Sequence, residues 1–331
     1  ASIRAGGEGA PHSAPPGPEG GVRRARDAQR TGRRRGAQRA IELNQMLGIP
    51  PSSIGYAPPM PWLLACAPKC EPDELSGNGT CTPYTDGTPS DRDVWTPSPG
   101  TSWQIQYSGT LDTSLDVDVY DVDLFDTSNA DLAALPTTIC YFSAGSWEDW
   151  REDADSFPAA SKGEPLDGWP GEWWLDIRDA GVRTALTGRL DRAVERGCTA
   201  VDPDNVNGWE NETGFPLTRA DQLDFNRFLA EEAHARGLSI GLKNDQLQAE
   251  ALAPWFDWAL NEECAAYDEC DGYAIFTDAD KAVFHVEYVD EWSDAEALAE
   301  QVCGVGPRLD TLIKTWDLGA ERLACPVDSA R

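Results

Sequence analysis

Two acidic clusters stand where short apolar runs end. Residues 199–201 lead into Asp202, Pro203, Asp204 and Asn205, and residues 256–260 lead into Asn261, Glu262 and Glu263. A carboxylate at the end of a buried strand is costly unless it is paired, hydrogen-bonded or used. Two such groups brought together can cleave a glycosidic bond. One protonates the leaving oxygen, and the other attacks the sugar or activates water. The plainer alternatives are an Asx-turn and helix cap for Asp202 to Asp204, and the exposed start of a helix for Glu262 and Glu263.

Other polar groups fall at similar positions. Gln104 and Tyr107 close the first apolar run, Asp121 lies in the second, and Tyr141 and Glu148 follow the third. Lys243 and Asn244 end the run at 238–242, and Glu287 ends the run at 283–287. Residues 143–177 form a long insertion holding five of the thirteen tryptophans, Trp173 among them. Many carboxylates, several amides and tryptophans, and only three histidines are what polysaccharide chemistry asks for. Aromatic faces stack on sugar rings, and surplus acids pair with amino groups on a sugar. Glu148, Asp121 and Glu287 are the candidates for that pairing. Lys243 and Asn244 are expected to position the sugar or tune the carboxylates.

The elements that must position these residues are legible as an alternation. Eight candidate strands run over 103–107, 117–122, 138–143, 199–201, 238–242, 256–260, 283–287 and 310–314. Helical patterns separate several of them. One, over 179–196, stops at Gly197. A second opens on Thr218 with Asp221 three residues on, a variant capping box, carries an apolar stripe of Phe225, Phe228, Leu229 and Ala233, and closes at Gly237. A third covers 292–303. Strands alternating with helices imply parallel pairing with right-handed crossovers. Eight units predict a (β/α)8 TIM-type barrel with its site at the carboxyl ends of the strands. A doubly wound open sheet is the alternative, but no Gly-x-Gly-x-x-Gly or P-loop pattern follows the early strands.

Charge and cysteines bound the class. Residues 1–50 hold nine Arg against four Asp/Glu, whereas the rest of the chain carries 18 Lys/Arg against 53 Asp/Glu. That acidic excess argues against nucleic acid or an anionic membrane as partner and suits a cationic ligand, or else a charged coat. Nine cysteines with no pair of close Cys-x-x-Cys units favour disulfides in an exported protein over zinc. The expected bridges are Cys264–Cys270 and Cys140–Cys198. No run reaches the roughly 18–20 apolar residues needed to span a bilayer. Leu63-Leu-Ala-Cys66 looks like a lipoprotein cleavage site, so a lipid anchor on Cys66 is one option for a secreted or surface-held protein. Residues 1–100 are read as a disordered or linker extension, with no packed domain before Trp103, and 101–331 as the barrel domain.

The ordered motifs Trp103-Gln-Ile-Gln106, Cys140-Tyr-Phe-Ser-Ala-Gly-Ser-Trp-Glu148, Trp174-Leu-Asp-Ile-Arg178, Val201-Asp-Pro-Asp-Asn-Val206, Gly241-Leu-Lys-Asn244 and Asn261-Glu-Glu-Cys264 carry a resemblance. Residues 103–318 resemble the endo-α-1,4-polygalactosaminidases of glycoside hydrolase family 114, a TIM-barrel family. The resemblance implies hydrolysis within α-1,4-linked galactosamine chains, a cationic amino-sugar polysaccharide as partner, and no cofactor. Its catalytic Asp and Glu fall on Asp204 as nucleophile and Glu262 as general acid/base, with Asp202 and Glu263 as the exchange candidates. Competing readings are a carbohydrate-binding barrel that does not cleave, and a metal-dependent hydrolase using Asp202, Asp204 and Glu262.

Overall fold

The computed structural model describes residues 93–326, together with residues 74–77, 80–83 and 89. The extension expected over 1–100 and the anchor option at Cys66 fall largely or wholly outside the described residues. Residues 74–77 and 80–83 form a short antiparallel hairpin.

All eight expected strands form. They are β1 (Trp103–Gln106), β2 (Val119–Asp123), β3 (Thr138–Ser143), β4 (Ala200–Asp204), β5 (Ser239–Lys243), β6 (Trp258–Glu262), β7 (Val283–Val289) and β8 (Asp310–Thr315). Each pairs in parallel with the next, in chain order. A final antiparallel strand, Leu323–Ala324, covers the outer edge of β8. The curled sheet with its helices is a TIM-type barrel. Its seam between β1 and β8 is bridged by side chains and a returning loop. Trp103 Nε1 donates to Asp310 O at 2.8 Å, Tyr107 N to Leu318 O at 2.9 Å, and Arg322 Nε to Trp103 O at 2.8 Å.

The period-2 alternation of each strand sorts residues into two layers. Trp103, Ile105, Val119, Ile139, Ala200, Trp258, Leu260, Phe284, Val286 and Leu312 fill the barrel interior. Val122, Phe142, Val201, Ile240, Leu242 and Ala259 face outward onto the helices. Helix α1 (Ala180–Glu195) buries Val182, Leu186 and Leu190, and α2 (Arg219–Ala235) buries Phe225, Leu229 and Ala233. The Thr218–Asp221 capping box is present in both directions. Helix α3 (Ala295–Val302) packs over β8. The connection from β1 to β2 carries no helix.

The packed body begins before position 101. Trp95 packs against the interior cluster, Pro97 is buried, and Ala282 N donates to Pro97 O at 2.8 Å. The sequence at 93–100 reads as linker because its contacts lie nearly two hundred residues away.

Within the insertion after β3, strands Ser146–Glu148, Lys162–Pro165 and Glu172–Leu175 make a small antiparallel sheet. Disulfides join Cys140 to Cys198 and Cys264 to Cys270, as expected, and Cys303 to Cys325 as a third. No helix among the described residues is long and apolar enough to cross a membrane.

Candidate active site

Strands β4, β5 and β6 each place their last inward-facing residues at the barrel mouth. The strand begun at 199–201 runs on through Asp202 and Asp204, so the carboxylates lie within β4 rather than in a turn after it. Lys243 ends β5 and Glu262 ends β6. The Lys243 ammonium is the meeting point, with Nζ 3.2 Å from Asp202 Oδ2, 3.9 Å from Asp204 Oδ2 and 3.7 Å from Glu262 Oε2. Sharing one nitrogen holds the Asp204 and Glu262 oxygens less than about 8 Å apart, within the reach that glycoside cleavage requires of two carboxyl groups.

Depth separates the three acids. Asp202 is fully buried and its Oδ1 has no hydrogen-bond partner, whereas the side chains of Asp204 and Glu262 keep 21% and 26% of their surface exposed. Burial raises Asp202 to about 6, against the pull of Lys243. Burial also raises Asp204; Lys243 offsets part of this, and the charge of Glu262 adds to it. Glu262 moves the other way. Burial would raise it, but Lys243 and the hydrogen bonds from Tyr288 and Asn244 outweigh that and lower it. Burial would strip the proton from Lys243, yet Asp202, Asp204, Glu262 and Asp121 together hold it well above the usual lysine range.

Tyrosines line the same ring. Tyr107 OH donates to Asp202 Oδ2 at 3.2 Å, Tyr141 OH to Asp204 Oδ2 at 3.2 Å and Tyr288 OH to Glu262 Oε1 at 2.6 Å. Tyr288 stacks on Trp316, with ring centroids 4.3 Å apart and planes 16° apart. The three acidic or basic strand ends are each followed by a residue in the left-handed region: Asn205 at φ 60°, Asn244 at φ 51° and Glu263 at φ 63°. Such a backbone is uncommon for non-glycine residues and persists where its surroundings over-determine it. Asn205 Nδ2 donates to Ser143 Oγ at 3.0 Å, and its own N–H donates to Asp204 Oδ1 at 2.7 Å. Asn244 donates to Glu262 Oε2 at 3.1 Å and accepts from Glu262 N at 3.0 Å. These turns end each strand at its functional group and fix the side chain it presents.

Of the residues expected from sequence, Tyr107, Asp121, Tyr141, Asp202, Asp204, Lys243, Asn244 and Glu262 come together, with Asn205 and Glu263 in the adjoining turns. Asp121 is fully buried below the mouth. Neither of its oxygens has a hydrogen-bond partner, and burial followed by the charge of Asp202 raises it well above the carboxylate range. Glu148 lies beside the group, on the inserted sheet, where Arg151 Nε donates to it at 2.9 Å and Arg189 Nη1 lies 3.5 Å away. Trp173 sits on the other face of that sheet, against Trp147. Gln104 lies at the seam, accepting from Lys314 Nζ at 3.2 Å and donating to Ala320 O at 3.1 Å. Glu287 is not brought to the site. It points outward from β7, where it accepts from Ala265 N at 2.8 Å and lies 3.0 Å from His285 Nε2. Its neighbour Tyr288 takes the inward position and reaches Glu262. A strict count of alternation from Phe284 and Val286 was the signal available for Tyr288; Trp316 had none.

Two cation sites can be tested on their donors. Cys264, Cys270 and His285 offer ligand atoms within 4.8 Å of one another, but the two sulfurs are joined as a disulfide and present no thiolate. Between Asp202, Asp204 and Glu262 the place of a cation is held by the Lys243 ammonium.

A parallel barrel with two accessible carboxylates converging at its carboxyl end defines the class, a TIM-barrel glycoside hydrolase. Comparison with known proteins narrows this. The profile of glycoside-hydrolase family GH114 matches residues 85–329, and the chain belongs to that family. The crystal structure of Aspergillus fumigatus Ega3 in complex with galactosamine is similar at 42% identity and a TM-score of 0.68, covering 72% of this chain and all of that one. The glycoside hydrolase domain of PelA from Pseudomonas aeruginosa shares the fold at 16% identity and a TM-score of 0.54, covering 67% of this chain and 98% of that domain. No curated protein sequence matches the chain.

Proposed function

We propose that this protein cleaves within chains of α-1,4-linked galactosamine, with Asp204 as nucleophile and Glu262 as general acid/base. The observation that carries the reading is the difference in depth around Lys243. Of the carboxylates it binds, only Asp204 and Glu262 reach the mouth, while Asp202 lies sealed beneath them. Family membership and the likeness to a galactosamine-bound relative support the substrate class. The acidic balance of the chain, formally −30, suits a polycationic polysaccharide and not nucleic acid.

In this mechanism Glu262 gives its proton to the glycosidic oxygen as that bond breaks, while Asp204 Oδ2 forms a bond to the anomeric carbon. Glu262, now ionised, takes a proton from water, which attacks the same carbon and releases Asp204. Tyr141 and Lys243 steady the charge on Asp204. Tyr288 and Asn244 orient Glu262. Each proton movement is assigned to a carboxyl group, so the scheme calls for no cofactor.

A second reading exchanges the two roles. It is favoured by the free site, where Asp204 is raised and Glu262 is lowered, since groups pushed apart mark acid and base. Aryl galactosaminides with acidic leaving groups decide between them. They bypass the acid, so the variant lacking the acid keeps its first step and the variant lacking the nucleophile does not. Retained cleavage by Glu262→Gln and loss by Asp204→Asn supports the first assignment; the reverse pattern supports the second. Mass analysis of products from a defined galactosamine oligomer tests the activity itself, and absence of cleavage would reject it.

The disulfides suit an oxidising compartment. We place the protein outside the cell or at its surface, with lipid attachment at Cys66 as one way of holding it there.

A further inference from the structure

We infer that Glu172, on the inserted sheet, is a specificity residue that receives a free amino group of the sugar chain beside the reacting centre. This rests on the galactosamine reading above and names a residue that discriminates free from acetylated amine.

Glu172 lies directly opposite Glu148 in the antiparallel ladder of strands 146–148 and 172–175, so the two carboxylates share one face of that sheet. Like charges placed opposite each other are destabilising. Glu148 escapes the cost by bonding to Arg151 and lying within 3.5 Å of Arg189.

No cation bonds to Glu172; Arg151 and Arg189 offset part of its burial from a distance, but their donors are engaged elsewhere. Arg151 grips Asp123 through both Nη atoms, at 3.0 and 2.7 Å, and spends its Nε on Glu148. Arg189 holds Asp153 through Nε and Nη2, at 2.8 and 2.9 Å, and its Nη1 donates to Ser143 O at 2.6 Å. Glu172 is only 5% exposed, and no hydrogen bond or ion pair to its carboxylate is found among the described residues, although its oxygens are not sealed from solvent as those of Asp121 are. A buried carboxylate in that state is expensive.

Its electrostatic surroundings give the direction. Burial is the largest influence on Glu172, followed by the negative charges of Glu148 and Asp204, and together they hold its proton up to about 8. Tyr141, which donates to Asp204, feels Glu148 and Glu172 as well. Glu172 therefore stands opposite an anchored acid and feels the charge of the proposed nucleophile, with no cation bonded to it. An ammonium group on a sugar bound next to Asp204 supplies that charge, with Glu172 releasing its proton as the pair forms. An acetylated nitrogen supplies none, and leaves the carboxyl group without a cation.

The test is Glu172→Gln, assayed on galactosamine oligomers and on the same oligomers after N-acetylation, beside wild type. Glutamine keeps the shape and removes the charge, so the fold, followed by melting temperature, is expected to be unchanged. We expect kcat/KM on the free-amine oligomer to fall about 10- to 100-fold, mainly through KM, as befits loss of a charge-assisted contact. The ratio of free-amine to acetylated cleavage should fall with it. If wild type cleaves galactosamine oligomers and Glu172→Gln keeps the same ratio and KM, the inference is overturned while the proposed activity stands. If wild type cleaves no galactosamine oligomer, the activity falls and the inference with it.

Discussion

Two lysines in this barrel occupy matching places and meet opposite fates. Lys243 ends β5 at the mouth and Lys314 lies near the end of β8 at the seam, and both are fully or almost fully buried. Around Lys243 stand four carboxylates, and its proton is held more tightly than in water. The oxygens bonded to Lys314 carry no full charge: Gly319 O at 2.7 Å and Gln104 Oε1 at 3.2 Å, with Asp317 and Glu321 acting only from farther off. There burial wins, Arg322 adds to it, and the amine falls to about 7. Burial alone therefore says little about a charge in this fold. The formal charges facing the group decide whether a strand end becomes an ion-binding centre or a neutral structural contact.

The largest expected effect breaks the mouth at its chemistry. Asp204→Asn and Glu262→Gln should each lower hydrolysis of galactosamine oligomers by about a thousandfold or more while leaving the circular dichroism spectrum unchanged. Wild-type rates in either variant would remove that residue from the pair.

Exchanging each lysine for methionine sharpens the contrast. Lys243→Met strands Asp202 in the barrel without its cation, a change expected to cost about 3–5 kcal/mol and to abolish activity. Lys314→Met removes an amine that is already half neutral near pH 7, so denaturant unfolding should show a much smaller loss and activity should persist. Equal losses in the two variants would undo the comparison.

A third experiment varies pH. Asp310 at the seam is raised by burial to about 7; its Oδ1 accepts from Gly100 N at 2.7 Å while Oδ2 has no partner. The unfolded chain ionises such a group near 4. Its contribution is therefore present below pH 4 and lost as pH rises through 7. Lys314, lowered in the fold, contributes above pH 10 and loses this as pH falls toward 7. These two seam groups thus set a shallow minimum in melting temperature near neutrality. Asp310→Asn should flatten its acidic side by about a few degrees, the remainder coming from Asp202 and Glu172, which burial also raises. An unchanged profile would show that the seam groups titrate normally.

The smallest effect concerns the layer beneath the mouth. A Cβ at Gly241 would stand 2.3 Å from the Trp258 ring. Gly241→Ala should cost about 1–3 kcal/mol of stability through overpacking, and a neutral result would mean that Trp258 can yield.

The amino-acid sequence by itself determined the eight strands, the capped helix from Thr218, two of the three bridges seen among the described residues and the acids at the ends of β4 and β6. All but the Cys140–Cys198 bridge, which follows from two neighbouring strands, are encoded locally: by runs of β-branched and aromatic residues, cap chemistry at fixed offsets, close cysteine spacing, or a carboxylate where an apolar run stops. What only the tertiary structure decided depends on which way a side chain faces and what arrives from elsewhere in the chain. A one-residue change of parity on β7 puts Tyr288 on Glu262 and turns Glu287 outward. Depth along β4 divides Asp202 from Asp204, although the two are chemically alike. Glu172 carries no signal of its own in a stretch of tryptophans, because its role depends on Glu148 opposite and on two arginines committed to other acids. Local pattern follows from backbone geometry, whereas the state of a buried charge follows from every charge within a few ångströms. The fold alone brings those charges together.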